Sequence, residues 1–439
     1  MTNMVDMSVM DKLNSIAKYG INLGLERIGK LLNNMGNPQE KLKFIHVAGT
    51  NGKGSTCTIL SCILKESGYK TGLFISPYIL NFNETMQINH LPIPYNQLES
   101  CGEYVFSCWE DSCVEGEYPT QFEVITAIAF EWFYRSGCDF VCLECGLGGK
   151  EDSTNIIPPA LLQIITSVSL DHMGILGNTL EEIAVHKAGI IKGGITICYP
   201  LMQPEAMNII KHRCNEAHGR LIVPSLQHLN VMEDTFPENS FLYMGQQYIK
   251  SMTGRFQIYN CITAITAAFT LAEMGFSIQQ RAITEGVKNA KIPARQEIIR
   301  TSPLVLLDGC HNPEGAKALQ DSLYKLPSQR LTVIMGVLAD KDYNVMVKEI
   351  ARLAHHFIAV TPHNPRALAS QSLAKTAKTY CSNVYTFDEI QQALDFATEI
   401  TIPSDPICVC GSLYLAQQIR PLLLRQFGNG DSKVPGGVT

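Results

Sequence analysis

A lysine, two hydroxyls and three glycines fall within seven residues, Gly49-Thr-Asn-Gly-Lys-Gly-Ser55. Residues of these types bind phosphate. Glycines let backbone N–H groups crowd round phosphate oxygens, Lys53 can reach the outer phosphates, and Ser55 or Thr56 can ligate magnesium. The spacing departs from the usual G-x-x-x-x-G-K-[ST], because Gly54 separates the lysine from the hydroxyl. The alternative is an ordinary glycine-rich turn between two elements. The flanks favour phosphate: residues 44–47 form a short apolar, β-favouring run, and residues 57–64 carry apolar side chains at helical spacing. Strand, loop and helix in that order aim a helix's positive end at the bound anion.

Further polar residues follow stretches that read as strands. Ser76 comes after residues 71–75, Glu144 ends 139–144, and Asp171-His172 follow 162–168. With Ser55 they could offer hard oxygen and imidazole ligands to Mg²⁺ beside phosphates. Each alone is weak, and a lone histidine is more often structural; their shared place beyond strand ends gives the set its weight. Lys187 and Lys192 lie in HKAGIIK, where the plain reading is a helix end whose negative dipole favours lysine. Asp308 ends another strand before Gly-Cys-His311-Asn-Pro, and a carboxylate there can accept hydrogen bonds from a ribose. Pro313 suits the first turn of the next helix. Arg295 could clamp a nucleotide phosphate or pair with a carboxylate across an interface, and the residues alone do not choose. Cys142-Leu-Glu-Cys145 is a C-x-x-C, but no second pair or spaced histidines complete a zinc site.

These residues need a scaffold that presents strand ends to one edge. Residues 11–42 read as helical with an apolar stripe at Leu25, Ile28, Leu31 and Leu32, ending at Gly36-Asn-Pro. Helices are expected at 95–113, from the YPTQFE segment to Arg135, and at 179–188, with a further strand at 195–199. Residues 220–256 break the rhythm in favour of short strands and turns. Helices at 258–274 and 277–289 close this part, and residues 291–297 read as a linker. Alternation then restarts, with strands near 304–308, 331–335, 357–360, 383–386 and 406–410. This implies two α/β domains with parallel sheets, ligands binding at the strands' C-terminal ends.

Bulk properties narrow the function. The 439 residues allow two or three domains, and 46% hydrophobic with 17% charged residues is ordinary for a soluble globular protein. A formal charge of −6 gives no general attraction to nucleic acid or an anionic membrane, so anionic substrates must be met by local cations. No apolar run reaches membrane-spanning length, and the first ten residues lack a secretory pattern. Fifteen cysteines, an odd number scattered through expected helices and strands, read as reduced thiols of a cytoplasmic protein.

Assembled in order, the motifs resemble the folylpolyglutamate synthase and dihydrofolate synthase family of Mur-type amide ligases. The resemblance covers nearly the whole chain. It rests on GTNGKGS (49–55), SP (76–77), TQFE (120–123), ECGLGGKEDSTN (144–155), LDHMGILG (170–177), HKAGIIK (186–192), Gln257 with Asn260, PAR (293–295), DGCHNPEGA (308–316), GVLADKD (336–342) and CGS (410–412).

The resemblance implies a P-loop NTPase-like Mur ligase central domain over 1–293 and a smaller Rossmann-like glutamate-ligase α/β domain over 294–427, with a disordered tail at 428–439. ATP would meet Asn51, Gly52, Lys53, Gly54 and Ser55, together with Asn260, Arg295 and Asp308. Magnesium would lie among Ser55, Ser76, Glu144 and His172. Lys187 matches a lysine that family members carry as a carbamate, and His311 matches a histidine near the reacting carboxylate and incoming glutamate. The pterin-side pocket would be lined by Ile21, Asn22 and Leu23, by Thr120, Gln121, Phe122 and Glu123, and by Asp152, Ser153 and Thr154. The implied reaction adds L-glutamate to tetrahydrofolate or its polyglutamates, with dihydropteroate as the alternative acceptor. Domain closure would keep water from an acyl phosphate.

The chain departs from the family pattern in three places: Asn22 where bifunctional members usually carry Asp, Glu151 where an apolar residue is common, and Cys310 in place of Ala. A monomer acting on small molecules is expected, without nucleic acid or membrane partners. A cell-wall ligase of the same superfamily would also need a uridine-nucleotide N-terminal domain, and the 42 residues before Lys43 are too few for one.

Overall fold

A computed structural model of the chain describes residues 7–110, 118–234, 239–326 and 330–428. The expected tail beyond Gly428 therefore lies outside the described residues. The chain divides into two compact units. One takes the chain up to Asn230 together with Leu242–Tyr248 and Tyr259–Ala290; the other takes Val231–Phe241, Ile249–Ile258 and the chain from Lys291 onward.

The first unit is built on strands β1 (Phe44–Ala48), β2 (Thr71–Phe74), β3 (Met86–Ile88), β4 (Leu91–Pro92), β5 (Phe140–Glu144), β6 (Leu162–Ile165), β7 (Ile195–Cys198) and β8 (Arg220–Ile222). Their order is β4-β3-β2-β5-β1-β6-β7-β8. β2, β5, β1, β6, β7 and β8 run parallel, while β3 and β4 form an antiparallel edge. β1 and β5 are buried along their whole length, which explains their unbroken apolar character. The chain leaves β1 toward β2 on one side and later returns to fill the other side with β6. The loop after β1 thus sits where the winding reverses, the place an open α/β sheet offers to ligands.

The helix expected over residues 11–42 is two helices. Val9–Ile16 is capped by Ser8, and Glu26–Asn34 follows a break. Gly20 (φ 64°) and Gly24 (φ 135°) turn the chain in left-handed backbone that ends a helix. Leu13 and Ile16 from the first piece and Ile28, Leu31 and Leu32 from the second enter one core with Phe106, Phe130 and Phe133. A helix at Pro204–Glu216, not anticipated between β7 and β8, opens on a proline at its first position.

Strands β9 (Leu229–Asp234), β10 (Asn239–Tyr243) and β11 (Gln246–Lys250) form a small sheet. The second unit carries β12 (Glu297–Thr301), β13 (Leu304–Leu307), β14 (Leu331–Met335), β15 (Ala354–Val360), β16 (Val384–Phe387) and β17 (Ile407–Cys410) in the order β12-β13-β17-β14-β15-β16. β12, which begins where the expected linker of residues 291–297 ends, pairs antiparallel with β13 at the sheet edge. A bidentate pair between Arg420 and Glu297 (Nη2 to Oε1 2.6 Å) fixes that edge to the final helix, Leu413–Phe427. No described helix is long and apolar enough to cross a membrane.

The helix after the phosphate-type loop, Lys53–Glu66, is backed by Gln280–Asn289 at a close crossing. A Cβ added at Gly286 would lie 2.6 Å from the backbone Cα and N of Ile63. Gly286→Ala should therefore destabilise the protein by about 1–3 kcal/mol, since backbone cannot yield as a side chain can. Chemical denaturation of wild type and variant would measure the loss, and an unchanged midpoint would contradict the crossing.

Candidate active site

Gly52 carries the loop into its helix. Its φ of 88° is a left-handed conformation that lets Lys53 begin the helix at once. A Cβ there would also come 2.5 Å from Asn260 Oδ1, so the position admits only glycine. This close approach places Asn260, buried on the Phe256–Glu273 helix, directly against the loop. Thr50 ties the loop to the segment after β6: its N donates to Ser167 O (2.6 Å), and its hydroxyl and Ser169 exchange hydrogen bonds at 3.0 and 3.1 Å. The segment that goes on to Asp171 and His172 is thereby held beside the loop.

Lys53, Ser55, Ser76 and Glu144 form the polar centre. Glu144, almost wholly buried at the end of β5, receives Ser76 N on Oε2 (3.2 Å) and faces Lys53 Nζ from Oε1 (3.8 Å). A Cβ at Gly54 would stand 3.1 Å from Glu144 Oε2, so this glycine leaves the carboxylate its room. Lys53 Nζ also donates to Thr50 O (3.1 Å), folding back over the loop. Ser55 is buried in the first turn of the helix. Asp171 Oδ2 lies 3.9 Å from His172 Nε2, and the imidazole is about two-fifths exposed.

Among the described residues, no group of three or more His, Cys, Asp or Glu side chains is placed to hold a metal. A cation at this centre would rest on hydroxyl and carboxylate oxygens completed by phosphate. Such hard oxygen donors suit Mg²⁺, so the residues present fit the ion. The Thr56 hydroxyl, beside Ser55, is buried without a hydrogen-bond partner.

Lys187 reaches the same loop from the Leu180–Ala188 helix. Its Nζ donates to Gly49 O at 2.7 Å. Burial, reinforced by the Lys53 ammonium, lowers its pKa from 10.5 to about 7, although Cys145, Asp171 and Asp152 pull the other way. The helix end expected to be solvated thus carries a buried amine. Lys192 is spent on structure, donating to Asn155 O (2.5 Å) and Ile157 O (2.8 Å).

The residues proposed to line a pterin-side pocket divide into two kinds. Ile21 is exposed on the loop between the first two helices, and Asn22 is exposed beside it. Thr120 and Glu123 form a capping box, and Glu123, fully buried, also meets Arg27. Asp152 accepts from Leu147 N (2.7 Å) and from Thr154 N and Oγ1, while Thr154 contacts His46 Nε2 at 2.9 Å. The side chains of Glu123, Asp152 and Thr154 therefore shape the loops, and burial raises the Asp152 pKa. Phe122 fills the space beside Gly146, where a Cβ would stand 2.5 Å from its ring, and Gln121 Nε2 donates to Leu13 O (3.2 Å). Ser153 is buried in the short turn after Asp152. Cys145 of the C-x-x-C faces His46 at 3.1 Å, and burial pushes its thiol pKa up.

Arg295, Asp308 and His311 belong to the second unit. Arg295 sits between Ala294 (φ 54°) and Gln296 (φ 49°), two non-glycine residues in left-handed backbone, which marks a strained turn. Asp308 holds that turn: Oδ2 accepts from Gln296 N (2.9 Å) and Oδ1 from Cys310 N (2.8 Å). Burial raises the Asp308 pKa, with Arg295 opposing. His311 Nδ1 donates to Gly309 O (3.1 Å), since a carbonyl only accepts.

Sequence reasoning did not single out Thr50, Thr166 or Arg27. Thr166 meets Gly49, and Arg27 joins two loops, but each acts through a partner about a hundred positions away.

Comparison with known proteins gives this arrangement a context. Residues 47–268 match the Mur ligase middle domain, and residues 294–413 match the Mur ligase, glutamate ligase domain. The chain is 35% identical over 424 residues to the dihydrofolate synthase/folylpolyglutamate synthase of Bacillus subtilis, covering 92% of this chain and 96% of that protein. It is 34% identical to the folylpolyglutamate synthase of Lacticaseibacillus casei, covering 91% and 94%. The folylpolyglutamate synthase of Mycobacterium tuberculosis, solved with ADP and AMPPCP, superposes with a TM-score of 0.85 at 25% identity, covering 94% of this chain and 98% of that one.

The Lys187 amine leads to a stability test. Its pKa is about 7 folded against 10.5 unfolded, so between those values the unfolded chain binds the extra proton. Stability should rise with pH across that window, while below about 7 the full cost of burying the ammonium remains. Lys187→Met should abolish this component. Melting curves of wild type and variant from pH 6 to 10 that keep a constant separation would refute the depressed pKa.

Proposed function

The chain belongs to the folylpolyglutamate synthase and dihydrofolate synthase family of Mur ligases, and we propose that it adds L-glutamate to tetrahydrofolate or its polyglutamates at the expense of ATP. The observation that carries this reading is the convergence of Lys53, Ser55, Ser76, Glu144, Asn260 and Lys187 on one glycine loop. An ATP-dependent ligase needs such a centre. The nucleotide complexes of the similar Mycobacterium tuberculosis enzyme support ATP as the phosphoryl donor.

The reaction follows from elementary chemistry. A carboxylate is a poor electrophile, so its oxygen first displaces ADP from the γ-phosphorus of ATP and becomes an acyl phosphate. The amine of L-glutamate then attacks the carbonyl carbon, phosphate leaves with the bonding pair, and the nitrogen loses a proton to give the amide. Backbone N–H groups of residues 51–55 hold the phosphates, and Lys53 offsets charge on the transferring group. Mg²⁺, held by Ser55, Ser76, Glu144 and His172, would supply further charge neutralisation. Arg295 and Asp308 are assigned to the nucleotide, and His311 to the reacting carboxylate and incoming amine.

Lys187 is proposed to carry a carbamate. The neutral amine, which a pKa of about 7 makes abundant at physiological pH, attacks CO₂ and releases a proton. A buried ammonium is thereby exchanged for an anionic oxygen group beside the phosphate loop. The protein acts as a small-molecule enzyme of the cytoplasm and as a monomer in this reading.

Dihydropteroate is the second acceptor to be considered. The Bacillus subtilis relative bears both activities in its name, while the Lacticaseibacillus casei relative bears only the folylpolyglutamate activity. Incubation with ATP, Mg²⁺ and L-glutamate, plus either acceptor, should give an added glutamate by mass spectrometry with tetrahydrofolate. A product from dihydropteroate alone would reverse the preference, and no product from either acceptor would remove the function. For Lys187, ¹³CO₂ should give a carbamate resonance that Lys187→Ala lacks. That variant should be inactive and regain turnover with added short carboxylates; full activity without them would discard the carbamate.

A further inference from the structure

The loop of residues 20–25 ends the first helix and carries Ile21, Asn22 and Leu23, yet it has almost no core of its own. Ile21 is 67% exposed, which is unusual for an isoleucine in a turn between two buried helices. Three separate ties nevertheless hold this loop. Arg27 Nη2 donates to Asn22 O at 2.5 Å, and the same guanidinium lies on Glu123, with Nε to Oε2 at 3.2 Å and Nη2 to Oε1 at 3.1 Å. Gly24 N donates to Glu151 O at 3.2 Å, tying the loop to the segment after β5. Tyr19, one residue before the loop, stacks on Tyr118, with ring centroids 4.7 Å apart and planes 3° from parallel.

The ties end on two segments: residues 118–123, through Glu123 and Tyr118, and the segment after β5, through Glu151. Glu123 is fully buried, and its Oε2 already accepts from Thr120 N (2.6 Å) and Thr120 Oγ1 (3.0 Å) as well as from Arg27, while Oε1 meets Arg27 as an ion pair. Its charge is matched by Arg27, and the second donor face of that guanidinium points at the loop backbone. The fork geometry matters here, because a guanidinium can meet a carboxylate and a carbonyl at once where an ammonium cannot hold both in one plane.

We propose that Arg27 is a positioning residue for the acceptor: by bridging Glu123 to the Asn22 carbonyl it presets the Gly20–Leu25 loop in the conformation that receives the pterin end of the substrate, with the Tyr19–Tyr118 stack as its second anchor. The inference rests on the folate-ligase reading above. It separates the substrates. The loop meets the acceptor's ring end, whereas ATP and L-glutamate are assigned to other segments. A loop already ordered before binding saves the acceptor the entropy of ordering it.

Steady-state kinetics of the full-length enzyme with tetrahydrofolate, dihydropteroate, ATP and L-glutamate varied in turn tests this, alongside melting temperatures. Arg27→Lys, which keeps the charge and loses the fork, should raise KM for the folate acceptor about tenfold, the effect of losing a charge-assisted hydrogen bond. Its kcat and its KM for ATP and L-glutamate should stay within about twofold. Tyr118→Ala leaves the ion pair in place and should raise the same KM alone; Tyr118→Phe, which keeps the stacked ring, should bring it back. A shift of all KM values together, or a melting loss with no KM change, would make the pair merely structural and overturn the inference. An active wild type whose Arg27→Lys and Tyr118→Ala variants are unchanged would also overturn it. A wild type without turnover on either acceptor would overturn the functional reading and this inference with it.

Discussion

The whole centre depends on how closely other elements approach one stretch of backbone. Gly49, Gly52 and Gly54 each face a side chain from a different element: Thr166 just beyond β6, Asn260 on the Phe256–Glu273 helix, and Glu144 at the end of β5. A Cβ at Gly49 or Gly52 would collide with its neighbour, and one at Gly54 would crowd the Glu144 carboxylate. The three approaches fix the loop backbone from three directions before any ligand arrives. Preorganised donors cost nothing in reorganisation when charge develops, which is the most effective electrostatic help a protein can give. The topology supplies the approaches, since β1 is flanked by β5 and β6 at the point where the winding reverses.

The same crowding sets the electrostatics. Lys53 and Lys187 approach one loop from opposite elements, and Glu144 is the nearby buried carboxylate, 3.8 Å from Lys53. Asp152 and Asp171 add further negative charge around Lys187, so a polyphosphate would be met chiefly by Lys53 and the loop backbone. Burial, reinforced by the Lys53 ammonium, moves Lys187 toward its neutral form. Neutrality makes the amine nucleophilic. The feature that eases burial of the lysine is therefore the feature that would let it take up CO₂.

How much of this was legible in the sequence follows from how each residue acts. The phosphate loop could be read because glycines, lysine and hydroxyl act through backbone and side chains that are neighbours along the chain. Glu144 and Ser76 could be suspected because strand ends are legible as ends. Asn260 and Lys187 carried no signal in their own surroundings, since a buried asparagine and a lysine near a helix terminus are common; only the resemblance pointed to them. The break at residues 20–25 was missed because the apolar stripe of Leu25, Ile28, Leu31 and Leu32 drew the helical reading back over it, and isolated glycines do not by themselves interrupt a helical pattern. Thr50, Thr166 and Arg27 were invisible for a different reason: their partners are distant in sequence.

The acceptor side shows why family-matched residues need not be ligands. Glu123, Asp152 and Thr154 are polar residues in matching motifs, which invites a binding role for their side chains. Yet Glu123 is 0% and Asp152 3% exposed, and Glu123 Oε2 and both Asp152 oxygens accept from backbone N–H groups of their own turns. A carboxylate so placed gains more from its fixed donors than a passing ligand could offer, and removing it would leave those donors unsatisfied. Such side chains hold the loop's shape, and what that shape leaves exposed is what it presents. In this chain the presented parts are Ile21 and Asn22, with the Glu151 segment tied to them through Gly24. Two of the three departures from the family pattern, Asn22 and Glu151, lie in the segments that this tie joins.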